Sequence, residues 1–178
     1  MGALALTGCS EKQEASTTLP TPSATETAPE LPPLGPADFP VPAEARTKDA
    51  AGAEAFVRYY FDLINHTSGS LDPEPLRQLS QGCDDCARIA DNAEKHGQAG
   101  HRYEGGQITI TEVAPPLIRD NRADMAIRLD QARLVVRDAA GAELADGSSE
   151  AYIALPGSVA LEWDDTLKSW IMTYMAFG

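Results

Sequence analysis

Residues 48–65, KDAAGAEAFVRYYFDLIN, decide how this chain folds. Apolar side chains recur three or four residues apart in this stretch, at Ala53, Phe56, Val57, Tyr60 and Ile64. This spacing is typical of an amphipathic helix that buries one face against a core. We therefore predict a helix over residues 48–65, with Thr47 as its N-cap and residues 67–70 as its end.

Two shorter helices are predicted to follow the first. One begins at residue 72, with the Asp72 side chain as its cap. The other runs from Cys83 or Asp84 to about Lys95, and Gly97 ends it. All the predicted helices therefore precede the predicted strands.

Beyond Gly100 the apolar period becomes two, which indicates β-strands. The first strand runs from Tyr103 to Ile110, with residues 105–106 as a bulge or turn. Residues 123–129 alternate apolar and polar side chains and form a half-buried strand. These strands would supply the sheet against which the helices pack.

The apolar positions change parity at Leu134 and Val136. A bulge or tight turn at residues 130–133 is the simplest cause, because successive strand residues point to opposite faces. Residues 139–147 are predicted as a turn-rich connection, and residues 151–155 as the start of another strand.

The last two strands are predicted to form a hairpin. Residues 159–163 and 170–174 are its strands, and residues 164–169 join them. Trp163 and Trp170 would then face each other as a cross-strand aromatic pair. Helices followed by antiparallel strands predict an α+β fold, in which the N-terminal helices pack on a curved antiparallel sheet.

Several stretches of this chain resemble one known family. Residues 47–60 (TKDAAGAEAFVRYY), 83–86 (CDDC) and 103–106 (YEGG) resemble an actinobacterial lipoprotein domain, domain of unknown function 6318, over about residues 38–175. The order of the elements resembles the nuclear transport factor 2-like, or cystatin-like cone, superfamily. The resemblance implies a cone-shaped fold but brings no activity, substrate or catalytic residue, since this superfamily contains both enzymes and binding modules.

The first residues indicate a bacterial lipoprotein. Leu6-Thr7-Gly8-Cys9 matches a lipobox, so Cys9 would carry a diacylglyceryl anchor, and residues 1–9 would be a truncated signal peptide with its lipobox. The alternative is a stray or buried cysteine after a short apolar run. Residues 10–42 are rich in Pro, Thr and Ser, which predicts a disordered linker before a single domain over residues 43–178. We therefore expect a protein on the extracytoplasmic face of the cell membrane.

The charge of the chain excludes one class of partner. It carries 27 acidic and 14 basic residues, for a formal net charge of -13. Nucleic-acid binding requires a basic face that releases counterions, so no nucleic acid is expected. No motif indicates a cofactor, and none is predicted.

The remaining cysteines, Cys83 and Cys86, form an even pair in an oxidising compartment, which favours a structural disulfide. The alternative with a chemical role is a redox-active cysteine pair, but the intervening Asp84 and Asp85 disfavour a thiolate. Cys83, Cys86, His96 and His101 also resemble a zinc site, but the spacing is shorter than in zinc fingers, so no metal is predicted.

Aromatic and histidine side chains are the candidates for lining a pocket in such a cone. We predict as ligand-binding residues, from their positions in the helix and strands, Tyr60, His66, Tyr103, Trp163 and Tyr174. Asp62 and Tyr152 are further candidates if the pocket is catalytic. No base and nucleophile stand at a diagnostic spacing, so no catalytic residue is assigned. The favoured function is a non-catalytic cell-envelope module that binds a small ligand or a protein, and the alternative is a small isomerase- or dehydratase-like enzyme. A purely structural envelope role is also open.

Overall fold

The computed structural model describes residues 31–178. The predicted signal peptide, the lipobox with Cys9 and most of the predicted linker lie outside the described residues. Within the described part, no helix combines the length and the apolar character needed to cross a membrane.

The first helix begins slightly later than predicted. A short 3-10 helix, Ala43–Arg46, precedes α1, which covers Ala50–Thr67. The cap is Asp49, whose side chain accepts a hydrogen bond of 2.7 Å from the Gly52 amide. The prediction of Thr47 as N-cap was therefore wrong, because Thr47 lies outside the first turn and donates its hydroxyl to the Glu44 carbonyl instead.

The two shorter helices are α2, Glu74–Gln78, and α3, Asp84–Gln98. Asp72 accepts a hydrogen bond of 3.1 Å from the Glu74 amide at the start of α2. The predicted end of α3 at Gly97 was wrong, since Gly97 is helical and the chain turns at Gly100, where φ is 68°. Glycine adopts this left-handed conformation without the steric cost of a Cβ atom.

The eight strands form two antiparallel sheets rather than one. The large sheet has the order β2-β4-β7-β8, with β3 also paired to β4, and the small sheet has the order β1-β5-β6. The strands are β1 (Arg102–Gly105), β2 (Ile108–Val113), β3 (Leu117–Arg119), β4 (Arg122–Gln131), β5 (Leu134–Arg137), β6 (Glu143–Ser149), β7 (Tyr152–Asp164) and β8 (Ser169–Phe177). The predicted α+β architecture, with N-terminal helices on antiparallel strands, is confirmed.

The second sheet explains where the strand predictions failed. The strand predicted from Tyr103 to Ile110 is two strands in different sheets, because positive φ angles at Gly105 and Gly106 turn the chain between them. The parity change near residues 130–133 has the same origin, since there the chain leaves β4 in the large sheet and enters β5 in the small one.

Two further strand predictions need correction. Residues 139–147 were predicted as a connection, yet most of them belong to β6, whose small and polar residues give a weak strand signal. Residues 151–155 do not start a separate strand but open the long strand β7. This strand bulges at Ala154, where φ is 53° and the amide donates to the Asp130 carboxylate at 2.7 Å.

The folded unit also begins earlier than predicted. Leu34 and Val41 are buried in the core, although both lie in the predicted linker over residues 10–42. Phe39 stacks between Tyr59 and His66 at centroid distances of 5.3 and 4.7 Å. A segment that is rich in proline can thus still pack on a domain where apolar side chains interrupt it.

One end of the large sheet, which we call the packed end, is filled by side chains. Its fully buried members include Phe56, Val57, Leu161, Trp170 and Met172. The indole nitrogen of Trp170 donates to the Thr47 carbonyl at 2.9 Å, so the ring is held as well as buried. The predicted cross-strand aromatic pair is confirmed, because Trp163 faces Trp170 with ring centroids 5.5 Å apart.

Candidate functional site

The opposite end of the large sheet, which we call the hollow end, encloses a cavity of about 590 Å³. The second half of α1, the helix α3 and the small sheet enclose it together with the ends of β4, β7 and β8. Its floor and walls are largely apolar and include Phe61, Ile64, Leu129, Leu155 and Phe177. The cavity therefore offers an apolar interior between the two sheets.

Small residues of the strands and turns create this space. Gly105, Gly106, Gly147, Ser148 and Ser149 all line the cavity on the side of the small sheet. Gly147 has a φ of 84°, and a Cβ atom there would collide with the His96 ring. A larger residue at this position would strain the backbone and push against α3, so the structure requires glycine.

Most polar side chains of the lining already have partners within the protein. The Asn65 side chain accepts from the Ile108 amide and donates to the Ile108 carbonyl, both at 2.8 Å. The Ser148 hydroxyl accepts from the Val136 amide at 2.9 Å and donates to the Leu144 carbonyl. The Gln131 amide donates to the Ser149 hydroxyl at 3.3 Å. These side chains form part of the cavity wall. Their hydrogen bonds are made to backbone and side-chain groups of the protein itself.

The lining also has polar groups without such partners. Among residues 31–178, the side chains of Asn92, Tyr103 and Tyr152 form no hydrogen bond to another residue. Asn92 and Tyr103 are half-buried, whereas Tyr152 lies at the rim and is 44% exposed. Burial raises the pKa of the Tyr103 hydroxyl to about 12, and the Asp146 carboxylate acts in the same direction. Tyr103 is thus a neutral hydroxyl at neutral pH.

His96 lies behind the cavity wall. Its ring packs edge-on against Tyr103, with centroids 5.6 Å apart, and its Nδ1 lies 3.0 Å from Nδ1 of His101. Burial, followed by the charge of His101, lowers the pKa of His96, although Asp146 opposes this. His96 therefore supports the Tyr103 ring as a neutral imidazole.

The cavity contrasts with the acidic surface of the protein. In the part of the chain that the structure describes, no Asp, Glu or His side chain lines it. Arg88 is the one charged residue of that lining, and its side chain is 60% exposed and paired with Asp85 at 2.9 Å. The other described side chains of the lining are therefore uncharged.

The predicted ligand-binding residues lie in several places. Tyr103 lines the cavity, as does the further candidate Tyr152. Tyr60 is buried, with its hydroxyl 3.5 Å from the Leu76 carbonyl. His66 stacks on Phe39, and its Nε2 lies 3.5 Å from the Asp38 carboxylate.

The remaining candidates lie outside the cavity lining. Trp163 packs on Trp170 and donates its indole hydrogen to Asp165. Tyr174 is 49% exposed and borders a separate shallow depression beside Leu117. Asp62 is exposed on α1 and does not line the cavity. The predicted set therefore does not converge on one site, and its role in binding stays a prediction.

Sequence reasoning missed the contribution of α3. Arg88, Ile89, Asn92 and Ala93 all line the cavity from this helix. Their spacing of one, three and four residues places them on one face, which was a usable signal. The small residues of β6 gave no such signal, because glycine and serine more often indicate turns.

The predicted pairing of Cys83 with Cys86 is present as a disulfide, with Cα atoms 5.2 Å apart. The Cys83 sulfur also accepts a hydrogen bond of 3.2 Å from the Cys86 amide at the first turn of α3. The bond therefore fixes the start of the helix that supplies one cavity wall. Residues 31–178 contain no cluster of three or more His, Cys, Asp or Glu side chains arranged to hold a metal ion.

Comparison with solved structures supports the architecture alone. The intermembrane space region of the chloroplast protein ARC6 is similar with a TM-score of 0.55 at 17% identity, covering 74% of this chain and 97% of that one. A nuclear transport factor 2-like superfamily protein from Salmonella enterica serovar Typhimurium has a TM-score of 0.45 at 14% identity, covering 73% and 92%.

Comparison with sequences gives the family. No curated protein sequence matches the chain. One family model, described as a family of unknown function (DUF6318), matches residues 36–176, which include all the helices and nearly all of the strands. The chain belongs to this family, DUF6318.

Proposed function

We propose that this protein is a non-catalytic binding module that takes up a small, largely apolar molecule in the cavity of the hollow end. The observation that carries the proposal is the cavity of about 590 Å³, whose lining is largely apolar and, among the described residues, holds no Asp, Glu or His side chain. Pockets for small molecules usually measure about 300–1,000 Å³ and are lined mostly by hydrophobic and aromatic side chains. Removing apolar ligand surface from water would supply the driving force.

The lining favours binding over catalysis. An isomerase or dehydratase needs a base within hydrogen-bond reach of the proton that it removes. Among the described lining residues there is no carboxylate or imidazole side chain, and Tyr103 holds its proton because burial raises the pKa of its hydroxyl to about 12. A neutral hydroxyl can position a ligand but is a poor base at neutral pH.

We further propose that the module is a lipoprotein, held on the extracytoplasmic face of the cell membrane by a lipid on Cys9. The lipobox Leu6-Thr7-Gly8-Cys9 supports this proposal. The disulfide between Cys83 and Cys86 is consistent with it, because such bonds persist in oxidising compartments outside the cytoplasm. The ligand would then come from the envelope.

Cell fractionation tests the anchor. Cys9→Ala in the full precursor should move the protein from the membrane fraction to the soluble fraction, since acylation needs the thiol. Ser10→Ala is the matched control and should stay with the membrane. Equal membrane retention of the two variants would contradict the lipid anchor.

Fluorescence titration tests the cavity. The uncharged probe N-phenyl-1-naphthylamine should bind the full chain and brighten as it leaves water. Ala93→Trp, which fills the cavity from α3, should abolish this binding, and Ile64→Trp should do so from α1. Ala87→Trp is the control, because Ala87 lies exposed on the same helix.

Melting curves of each variant establish that it is folded before the titration. Probe binding that is equally tight in the folded Ala93→Trp and Ile64→Trp variants would contradict a ligand site in this cavity. Probe binding that is lost in Ala87→Trp as well would place the site on the surface of α3.

A further inference from the structure

We propose that the cavity selects uncharged, mostly apolar molecules that carry a hydrogen-bonding oxygen, and that the Tyr103 hydroxyl and the Asn92 amide hold that oxygen. This ligand class rests on the proposed function, since it concerns the same cavity. Alcohols, phenols and carbonyl compounds with a compact apolar body belong to it.

Asn92 and Tyr103 differ from most polar side chains of the cavity lining in their hydrogen bonding. Asn65, Thr67, Ser68, Ser148 and the pair Gln131–Ser149 already bond within the protein. Among the described residues, Asn92, Tyr103 and Tyr152 line the cavity without a hydrogen bond to another residue. Tyr152 is 44% exposed at the rim, where water satisfies it. Asn92 and Tyr103 are therefore the partly buried groups whose hydrogen bonds a ligand would complete.

The structure holds both residues in place. Tyr103 lies on β1 opposite Val136 of β5, and His96 packs edge-on against its ring. Asn92 lies on α3, one turn after Arg88 and three residues before Lys95, which forms an ion pair with Asp146 of β6 at 2.6 Å. Two different walls, β1 and α3, thus each contribute one polar side chain to the lining.

The preference for an uncharged ligand follows from electrostatics. A charged group inside the cavity would lose its hydration without a buried counter-charge, which is unfavourable. Arg88 does not supply that counter-charge, because its side chain is 60% exposed and paired with Asp85. A hydroxyl and an amide instead both donate and accept hydrogen bonds, so they match a neutral oxygen.

A matched set of small aromatic probes tests this selection. Naphthalene, 2-naphthol and 2-naphthoate share one ring system and differ in carrying no polar group, a neutral hydroxyl or a charged carboxylate. Each competes with N-phenyl-1-naphthylamine for the full chain at neutral pH. We expect 2-naphthol to displace the probe at concentrations about 3- to 10-fold lower than naphthalene, the gain typical of one hydrogen bond. 2-Naphthoate should be the weakest.

Conservative variants assign the effect to the two residues. Tyr103→Phe and Asn92→Leu should each reduce the advantage of 2-naphthol over naphthalene by about 2- to 5-fold and leave naphthalene binding unchanged. Thr166→Val removes an exposed hydroxyl outside the cavity and should change neither. Retention of the full advantage in one variant would remove that residue from the assignment.

The outcomes separate this inference from the proposed function. Equal displacement by 2-naphthol and naphthalene, or tighter binding of 2-naphthoate, would overturn the ligand class while the cavity remains a binding site. Failure of N-phenyl-1-naphthylamine itself to bind the wild-type chain would overturn the proposed function.

Discussion

The packed end and the hollow end of the large sheet use the same elements in opposite ways. The helix α1 contributes Phe56 and Val57 to the packed end, and Phe61 and Ile64 to the cavity lining. The strand β8 likewise has the buried Trp170 near its start and Phe177, which lines the cavity, at its end. The two ends differ in the size of the side chains that pack there. Large side chains fill the packed end, whereas glycine and serine residues of the small sheet leave space at the hollow end. On the proposed function, stability and binding would thus lie at separate ends of one domain.

The largest expected effect is the loss of Trp170. Its side chain is fully buried and its indole donates to the Thr47 carbonyl. Trp170→Ala should lower the free energy of unfolding by about 3–5 kcal/mol, measured by urea denaturation. Phe177→Ala at the half-buried cavity wall should cost about 1–2 kcal/mol, because less surface returns to water. Equal losses would show that the two ends are packed alike.

The disulfide should have an intermediate effect and should act on the hollow end. Replacing both cysteines, with Cys83→Ser and Cys86→Ser together, should lower the free energy of unfolding by about 2 kcal/mol, since the closed loop is very short. Because the disulfide fixes the start of α3, probe binding should weaken. The position of Trp170 at the packed end should stay the same. Unaltered probe affinity in the double variant would mean that α3 keeps its position in the cavity wall without the disulfide.

The smallest expected effect is a pH dependence that arises from His96. Burial lowers the pKa of His96 in the folded protein below its ordinary value of 6.5, so the unfolded chain binds the proton more readily. Its contribution to stability is therefore complete above pH 6.5, and it is lost as the pH falls below that value and through the lower pKa of the folded protein. The groups that face it are Lys95, His101, Tyr103 and Asp146.

Thermal melting between neutral and mildly acidic pH checks this dependence. The melting temperature of the wild-type chain should fall across this interval, and His96→Gln should flatten the fall. An identical slope in the two proteins would assign the dependence to other groups.

The elements with strong local signals were predictable from the sequence. The period of three to four residues in residues 48–65 and the alternation in residues 123–129 correspond to α1 and β4. The hairpin was predictable because Trp163 and Trp170 flank a polar turn. The division into two sheets was not, since a local parity change fits a bulge as well as a change of sheet.

The cavity was predictable only in part. Tyr103 was a candidate by its position at the entry to the sheet, and it does line the cavity. The helical spacing of Asn92 indicated its face of α3, but the lack of a partner for its amide and the need for a missing side chain at Gly147 could not be predicted. Neither property has a signature in sequence, as both depend on which residues the fold brings opposite them.

One measurement tests the division of the domain most directly. Amide and indole signals of the ¹⁵N-labelled chain are followed during titration with N-phenyl-1-naphthylamine. We expect the largest shifts at Gly105, Gly106 and Gly147 of the hollow end, while Gly52 and the Trp170 indole of the packed end stay unchanged. Shifts centred on Trp170 or on the exposed Tyr174, or no shifts at all, would contradict a ligand-binding cavity at the hollow end.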